Sequence, residues 1–202
     1  MSRMELQERN LKYKGHRVKV YEDVIKGPEG EMLYYDFVEN RNGAGVLLVD
    51  DEGMLYFVRQ YRNSLNDFDI EIPAGCVEKK DYQSVDGSDK KMGREDFESP
   101  DNPFYKCAIR EAEEETGMIP QKLSFVNYII ASVGLFSERT AVYIGEGIKE
   151  GSINRDSDEY IDIIKLTLEE AEEYIYKGDI VDSKTIIAIL AYRQMKSKKI
   201  EM

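Results

Sequence analysis

Residues 110–118 read REAEEETGM, which places four glutamates close together near the end of one predicted helix. That helix is expected to begin at Asn102-Pro103, because asparagine is a good N-cap and proline suits the first helical position. It is expected to stop at Gly117, because glycine readily adopts the left-handed conformation that ends many helices.

One face of this helix changes from apolar to acidic along its length. At 3.6 residues per turn, a single stripe contains, in order, Phe104, Cys107, Ala108, Glu111 and Glu115. Glu114 flanks this stripe, whereas Glu113 points away from it. Because the stripe should face the core, its acidic end is an unusual place for a merely solvated surface.

The charges on the stripe require an explanation. Glu111 and Glu115 stand four residues apart, and such a like-charge pair costs roughly 0.2–0.5 kcal/mol even when exposed. Arg110 can pair with Glu114, but nothing nearby in the sequence relieves the other two acids. A hard cation such as Mg²⁺ would relieve them, because it prefers carboxylate oxygens. The alternative is an acidic surface helix in an acidic chain, and the charge pattern alone leaves both interpretations open.

The other segments predict a mixed α/β architecture. Residues 17–38 and 44–62 each read as a hairpin, the second with its turn at Asp51-Glu52-Gly53. A short strand ending at Pro73 precedes the glutamate helix, and two strand patterns follow it at 123–132 and 139–148. Two further helices are predicted, one between Thr167 and Gly178 and a final one over 182–199. Strands first and helices interleaved later indicate a mixed α/β sandwich.

Composition excludes several functional classes. The formal net charge of −12 argues against non-specific binding to nucleic acid or to an anionic membrane. With His16 as the sole histidine, zinc chemistry and histidine-based nucleophilic triads are nearly excluded. Cys76 and Cys107 form no CxxC motif, so a reduced, cytoplasmic setting is expected. The polar N-terminal stretch lacks a signal core, and no apolar run is long enough to span a bilayer.

The glutamate helix resembles the motif of the Nudix hydrolases. REAEEETGM matches R-E-U-x-E-E-x-G-U, with U apolar, at every specified position. Four other stretches resemble the ADP-ribose and ADP-sugar pyrophosphatase branch: VRQYR (58–62), EIPAGCVE (71–78), ASVGLFSERTAVYIGEG (131–147) and GDIVDSKTIIAIL (178–190). The resemblance extends over residues 43–192, and by it the chain is identified as a member of this family.

The first half of the family motif, G-x5-E, is displaced from the second. Gly75 resembles the leading glycine, but about twenty residues more than the family pattern separate it from the helix. The acidic position falls on Asn102 when counted back from the helix and on Asp81 when counted from Gly75. Glu78 and Asp81 are the candidates for it.

The resemblance implies a fold and an assembly. The fold is an α/β/α Nudix sandwich with a mixed sheet over residues 43–202, preceded by a small antiparallel β domain in residues 1–42 and carrying an insertion at about 82–101. It also implies a homodimer in which each N-terminal domain contacts the partner's substrate site.

The implied chemistry is attack of water on a pyrophosphate linkage, assisted by Mg²⁺ with Mn²⁺ as a substitute. Glu111 and Glu115 are the first candidates for metal ligands, followed by Glu114 and the backbone carbonyl of Ala74. The resemblance makes Arg110 the residue that orients the glutamates. It makes Glu138 a general base or an additional ligand, although Glu138 could instead be a surface carboxylate beside Arg139.

Substrate contacts are expected from two nearby stretches. Arg59 and Arg62, three apart on a predicted strand, should point to opposite faces. Arg62 is favoured for bidentate phosphate binding and Arg59 for a surface charge, with Tyr61 and Gly75 completing the set.

Two further features have competing interpretations. Tyr34, Tyr35 and Phe37 could stack on a nucleobase, but ordinary strand packing is the simpler expectation. The insertion is expected to be a mobile surface loop, and the alternative is a lid that brings Lys90, Lys91 and Arg94 near phosphate.

The expected function is Mg²⁺-dependent hydrolysis of a nucleoside diphosphate sugar, most specifically ADP-ribose to AMP and ribose 5-phosphate. Hydrolysis of a UDP-sugar, a GDP-sugar or a dinucleotide is the alternative within the same class. A catalytically silent nucleotide-sugar sensor is the alternative outside it, although such sensors tend to lose the glutamates that this chain keeps.

Overall fold

The computed structural model describes residues 4–82, 92–155 and 160–200. The chain forms two compact units, and each is described by itself. The first contains the described residues up to Asn42 together with residues 130–139, and the second contains the described residues from Gly43 to Ile129 and from Thr140 onward.

The first unit contains an antiparallel sheet of three strands in the order β1-β2-β3: β1 Glu5–Lys14, β2 Lys19–Lys26 and β3 Met32–Glu39. The hairpin predicted for residues 17–38 is confirmed as β2 and β3. Strand β1 was not predicted, because every one of its residues is exposed and its sequence shows no apolar alternation. Pairing with β2 and an ion pair between Arg9 and Asp23 at 2.6 Å hold β1 in place.

The second unit is built on a mixed sheet. Its path runs β10-β5-β4-β9-β8, with β6 paired to β5 and β7 paired to β4. The strands are β4 Gly43–Val49, β5 Leu55–Arg62, β6 Asp67–Glu71, β7 Ala74–Cys76, β8 Met118–Ile129, β9 Thr140–Glu150 and β10 Ile161–Leu166. Strands β4 and β9 are parallel and the other pairs are antiparallel.

Helices cover both faces of this sheet. The helices of the described residues are α1 Arg94–Glu98, α2 Pro103–Thr116, α3 Leu168–Lys177 and α4 Ser183–Ile200. Alternate residues of β4 serve the two layers: Val46 and Leu48 lie in the core formed with α1 and α2, whereas Leu47 and Val49 lie in the core formed with α3 and α4. The predicted α/β/α sandwich is therefore confirmed.

The predicted helix ends are also found. The Asn102 side chain accepts a hydrogen bond from the amide of Phe104 at 2.9 Å, and Gly117 ends α2 with φ of 72°. Thr167 and Gly178 delimit α3 as expected. Strand β10 was missed, because its edge position leaves four of its six residues exposed or only half-buried. No described helix is both long and apolar enough to cross a membrane.

The described end of the insertion is packed, which corrects the expectation of a mobile loop for residues 92–101. Phe97 of α1 is 1% exposed and stacks on Phe125 of β8 at 4.5 Å between ring centroids. Arg94 donates to the backbone carbonyls of Phe125 and Val126, so it is bound to β8. Lys90 and Lys91, named in the lid alternative, lie outside the described residues.

Phe97→Ala is expected to lower the free energy of unfolding by about 3–5 kcal/mol, since it removes a fully buried ring. Urea denaturation followed by circular dichroism measures the effect. The matched control is Tyr176→Ala, which truncates an 84% exposed ring on α3 and should stay within about 0.5 kcal/mol of the unsubstituted protein. Equal stability of the two variants would contradict the packing described for α1.

Candidate active site

Helix α2 has buried apolar residues in its first turns and acidic residues in its last turns. Phe104, Cys107 and Ala108 are buried against the sheet, as the stripe predicts. Glu115 continues that stripe and is only 3% exposed, so it is not part of a solvated face. A carboxylate in such a place requires hydrogen bonds or positive charge around it.

Arg110 contacts two of the glutamates at once. Its Nη1 donates to Glu111 Oε1 at 2.6 Å and to Glu114 Oε2 at 2.8 Å. The predicted pairing with Glu114 is therefore found, but the expectation that no local group relieves Glu111 is wrong. Sequence reasoning considered the spacing of four residues and overlooked that a long guanidinium can reach its own neighbour.

The opposite edge of the same guanidinium is anchored from outside the helix. Arg110 Nη2 donates to the carbonyl of Cys76 at 3.0 Å and to Asp81 Oδ2 at 3.2 Å. Burial disfavours the charged guanidinium, but the hydrogen bond with Asp81 and the charge of Glu111 outweigh it and raise the pKa of Arg110. Arg110 is therefore a fixed cation that binds the helix acids to the segment after β7.

The contact with Arg110 distinguishes the candidates for the displaced motif position. Asp81 is 4% exposed, accepts from the amide of Glu78 at 2.7 Å and pairs with Arg110. Glu78 instead pairs with Lys80 at the surface. Asn102 is committed to capping α2. Among these three residues, Asp81 is the one that pairs with Arg110 of the glutamate helix.

Strand β7 lies beside the acids and fits them closely. The amide of Ala74 donates to Glu115 Oε2 at 3.2 Å. A Cβ placed on Gly75 would come closer to the Glu111 carboxylate than 3.0 Å, a separation that real Cβ atoms essentially never show. The absent side chain of Gly75 therefore makes room for Glu111. The predicted roles of the Ala74 carbonyl as a metal ligand and of Gly75 in substrate binding stay predictions.

The donor set fits a hard divalent cation. Glu111 and Glu115 supply carboxylate oxygens next to strand β7, where Gly75 leaves room for Glu111, and Glu114 shares Arg110 with Glu111. No three Asp, Glu, His or Cys side chains in the described part of the chain are grouped as a ready-made metal site. Mg²⁺ does not need one, because it commonly binds through one or two carboxylates plus waters and substrate phosphates.

Most of the chain matches a known protein family. A model of the NUDIX domain matches residues 39–186. The chain belongs to the Nudix hydrolases. It is 32% identical to the methanol dehydrogenase activator of Bacillus methanolicus over 88% of this chain and 85% of that protein. It is 31% identical to the ADP-ribose pyrophosphatase of Bacillus subtilis over 91% of this chain and 89% of that protein.

A solved structure supports the fold. The crystal structure of an ADP compounds hydrolase superposes with a TM-score of 0.75, covering 97% of this chain and 95% of the other at 15% sequence identity. At that identity the match concerns the fold alone. Nudix hydrolases generally use divalent metals, so the carboxylates of α2 have the chemistry that the family requires.

In this Nudix hydrolase, Arg62 is engaged by a buried acid. Its Nη2 donates to Glu71 Oε2 at 2.8 Å, its Nε donates to the other oxygen, and Lys184 of α4 donates to the same carboxylate. Burial opposes the charge of Arg62, but Glu71 and then Glu115 raise its pKa. The negative charge of Glu115 therefore stabilises the charged form of Arg62. The contact of Arg62 with phosphate stays a prediction.

The neighbouring predicted residues lie at the surface. Arg59 stacks over the ring of Phe68 at 4.2 Å and pairs with Asp162 at 3.7 Å, as a surface charge would. Tyr61 is 45% exposed and donates from its hydroxyl to Asn66 Oδ1 at 3.0 Å. Sequence reasoning missed the partners Glu71 and Lys184, although both lie inside the stretches that carry the family resemblance.

Glu138 belongs to the first unit, in the loop that precedes β9. Its carboxylate is half-buried and accepts from Asn40 Nδ2, while Ser137 Oγ accepts from the amide of Asn40 at 3.2 Å. The amide of Arg139 donates to Asn42 Oδ1 at 2.9 Å. The loop is therefore held to the segment after β3, and the catalytic role of Glu138 stays a prediction.

The aromatic residues of β3 divide into two groups. Tyr34 and Tyr35 are 67% and 48% exposed. Phe37 instead receives the guanidinium of Arg9 at 3.7 Å from its ring centroid and packs against Tyr21. Strand packing therefore accounts for Phe37, while base stacking stays an alternative for the two exposed tyrosines.

Proposed function

We propose that this Nudix hydrolase cleaves the pyrophosphate linkage of a nucleoside diphosphate sugar, with ADP-ribose as the leading substrate and AMP and ribose 5-phosphate as products. The similarity to the Bacillus subtilis ADP-ribose pyrophosphatase over most of both chains supports this substrate class. The name of the other relative, the methanol dehydrogenase activator of Bacillus methanolicus, does not specify a substrate.

One observation carries the proposal: three carboxylates near the end of α2 are each held by a hydrogen bond, Glu111 and Glu114 by Arg110 and Glu115 by the amide of Ala74 in β7. Arg110 is a single positive charge among several half-buried carboxylates, and a divalent cation would supply the further positive charge that favours them. The glutamates would hold Mg²⁺, or Mn²⁺ in its place, and the bound ion would polarise phosphoryl oxygens and lower the pKa of a coordinated water.

The chain's own residues are assigned as follows. Glu111 and Glu115, with Glu114 and the Ala74 carbonyl, are the proposed metal ligands. Arg110 holds the two glutamates that it contacts in fixed rotamers. Arg62 is the proposed phosphate contact. Because its Nε and Nη2 already donate to Glu71, its Nη1 would be the group that donates to the substrate. Glu138 is proposed either as the base that takes a proton from the attacking water or as an additional metal ligand.

A homodimer and a cytoplasmic location complete the proposal. The exposed strand β1 presents the apolar side chains of Leu6, Leu11 and Tyr13, which a second copy of this chain would cover. Both Cys76 and Cys107 are free thiols, which agrees with a reducing compartment. For the homodimer, size-exclusion chromatography with light scattering should give twice the mass of the chain, and a monomeric mass would contradict the proposed dimer.

The deciding experiment is a substrate panel assayed with and without Mg²⁺. ADP-ribose, UDP-glucose, GDP-mannose, NADH and diadenosine polyphosphates are incubated with the protein, and the released phosphomonoesters are measured. Hydrolysis of ADP-ribose that requires Mg²⁺ and gives AMP with ribose 5-phosphate is expected. Faster hydrolysis of another compound would shift the substrate within the class. Nucleotide-sugar binding without turnover would favour a silent sensor instead.

A further inference from the structure

Residues 151–155, here called the collar, form hydrogen bonds with the C-terminal end of α2. The backbone N–H of Asn154 donates to the carbonyl of Glu114 at 3.0 Å, and the backbone N–H of Gly151 donates to the carbonyl of Gly117 at 2.8 Å. The amide of Ser152 donates to the side chain of Glu113 at 3.3 Å. These bonds satisfy groups that a helix end otherwise leaves without partners.

Arg155 makes three hydrogen bonds from the end of the collar. Its Nε and Nη2 donate to the carbonyl of Glu115 at 3.0 and 2.8 Å, and its Nη1 donates to the carbonyl of Ile161 at 2.6 Å. One planar guanidinium therefore connects the residue that carries the most buried acid of α2 to the start of β10. A lysine could supply the charge at this place but not the two-pronged contact.

The electrostatics of the helix end explain why a cation is needed there. The C-terminus of a helix carries partial negative charge, and α2 has its acids in these turns with no basic residue in the last one. Arg155, forty residues after Glu115 in the chain, supplies the cation that the last turn of α2 lacks.

We propose that Arg155 is a positioning residue for the metal-binding glutamates of α2. By fixing the backbone of Glu115 from the collar side, while the Ala74 amide fixes its carboxylate from the β7 side, Arg155 sets the direction in which that carboxylate points. The inference rests on the proposed function, because it assumes that these acids hold a divalent cation.

Two substitutions separate positioning from simple charge. If Arg155 acts through its charge alone, Arg155→Lys should leave Mn²⁺ binding unchanged, and Arg155→Met should tighten it by removing a nearby positive charge. If it acts by positioning, both variants should bind Mn²⁺ about tenfold more weakly, the lower end of the loss seen when groups that orient metal ligands are removed.

Mn²⁺ binding is measured by electron paramagnetic resonance on the full chain without substrate, and ADP-ribose kinetics at saturating metal are measured separately. The matched control is Arg193→Lys, which alters a two-pronged arginine that joins α3 and α4 through Glu172. This control should lose comparable thermal stability and keep the Mn²⁺ affinity of the unsubstituted protein.

Weaker Mn²⁺ binding in both Arg155 variants but not in the control would support the inference. Unchanged affinity in Arg155→Lys, or tighter binding in Arg155→Met, would overturn it and leave the proposed function intact. A lack of Mn²⁺ binding by the unsubstituted protein, both alone and with AMP added as a phosphate-bearing product, would overturn both.

Discussion

Glu115→Gln is expected to lower kcat for ADP-ribose by about 10³-fold, because a lost metal ligand removes several kcal/mol of charge stabilisation in the transition state. The fold should survive, since the amide has the same shape and keeps an oxygen that can accept from the backbone of Ala74. Steady-state kinetics with Mg²⁺ and a thermal melt of the same preparation measure both effects.

The matched control for this substitution is Glu173→Gln. Glu173 is a helical glutamate on the surface of α3 that pairs with Lys177 four residues later. Its neutralisation makes the same change in net charge and should leave kcat unaltered. An active Glu115→Gln variant would remove Glu115 from the proposed ligand set.

Gly75→Ala is expected to reduce kcat/KM by about 10²-fold, because displacing a catalytic group by an ångström can cost that much. The added Cβ would occupy space now taken by the Glu111 carboxylate, and that carboxylate would have to move. The loss of stability should be smaller than for a clash with backbone, because the displaced atoms are the end of the Glu111 side chain, although its ion pair with Arg110 would be disturbed. Kinetics and Mn²⁺ affinity should therefore change much more than the melting temperature.

Gly93→Ala provides the control for an added methyl group. A Cβ at Gly93 would meet its nearest atom, Asp96 Oδ2, at 3.8 Å, which is ordinary van der Waals contact. Activity in this variant should match that of the unsubstituted protein. If Gly75→Ala retained normal kcat/KM, the close fit between β7 and Glu111 would be unimportant for function.

Local signals account for the elements that were predicted correctly. The ends of helix α2 are marked in the sequence by Asn102-Pro103 and by Gly117. Its apolar stripe faces the core, as the 3.6-residue period requires. The capping residues Thr167 and Gly178 define α3 in the same way. Such signals act between residues close in the chain, so they can be read without knowing the fold.

The elements that were missed lack those signals. Strand β1 exposes all ten of its residues, and α1 is five residues long with Phe97 as its buried anchor. Neither has a periodic apolar pattern long enough to recognise. Their stability comes from backbone pairing with β2 in one case and from aromatic packing on β8 in the other.

The sequence by itself determined the family, the α/β/α sandwich and the placement of Glu111 and Glu115 on the core-facing stripe of α2 with Glu114 beside it, because helical geometry fixes side-chain direction within a few residues. Only the tertiary structure decided what surrounds these acids: Asp81 behind Arg110, the Ala74 amide on Glu115, and Arg155 at the helix end. These partners lie 29 to 41 residues away in the chain. Contacts over such separations depend on how the strands pair and pack, and no local propensity encodes that.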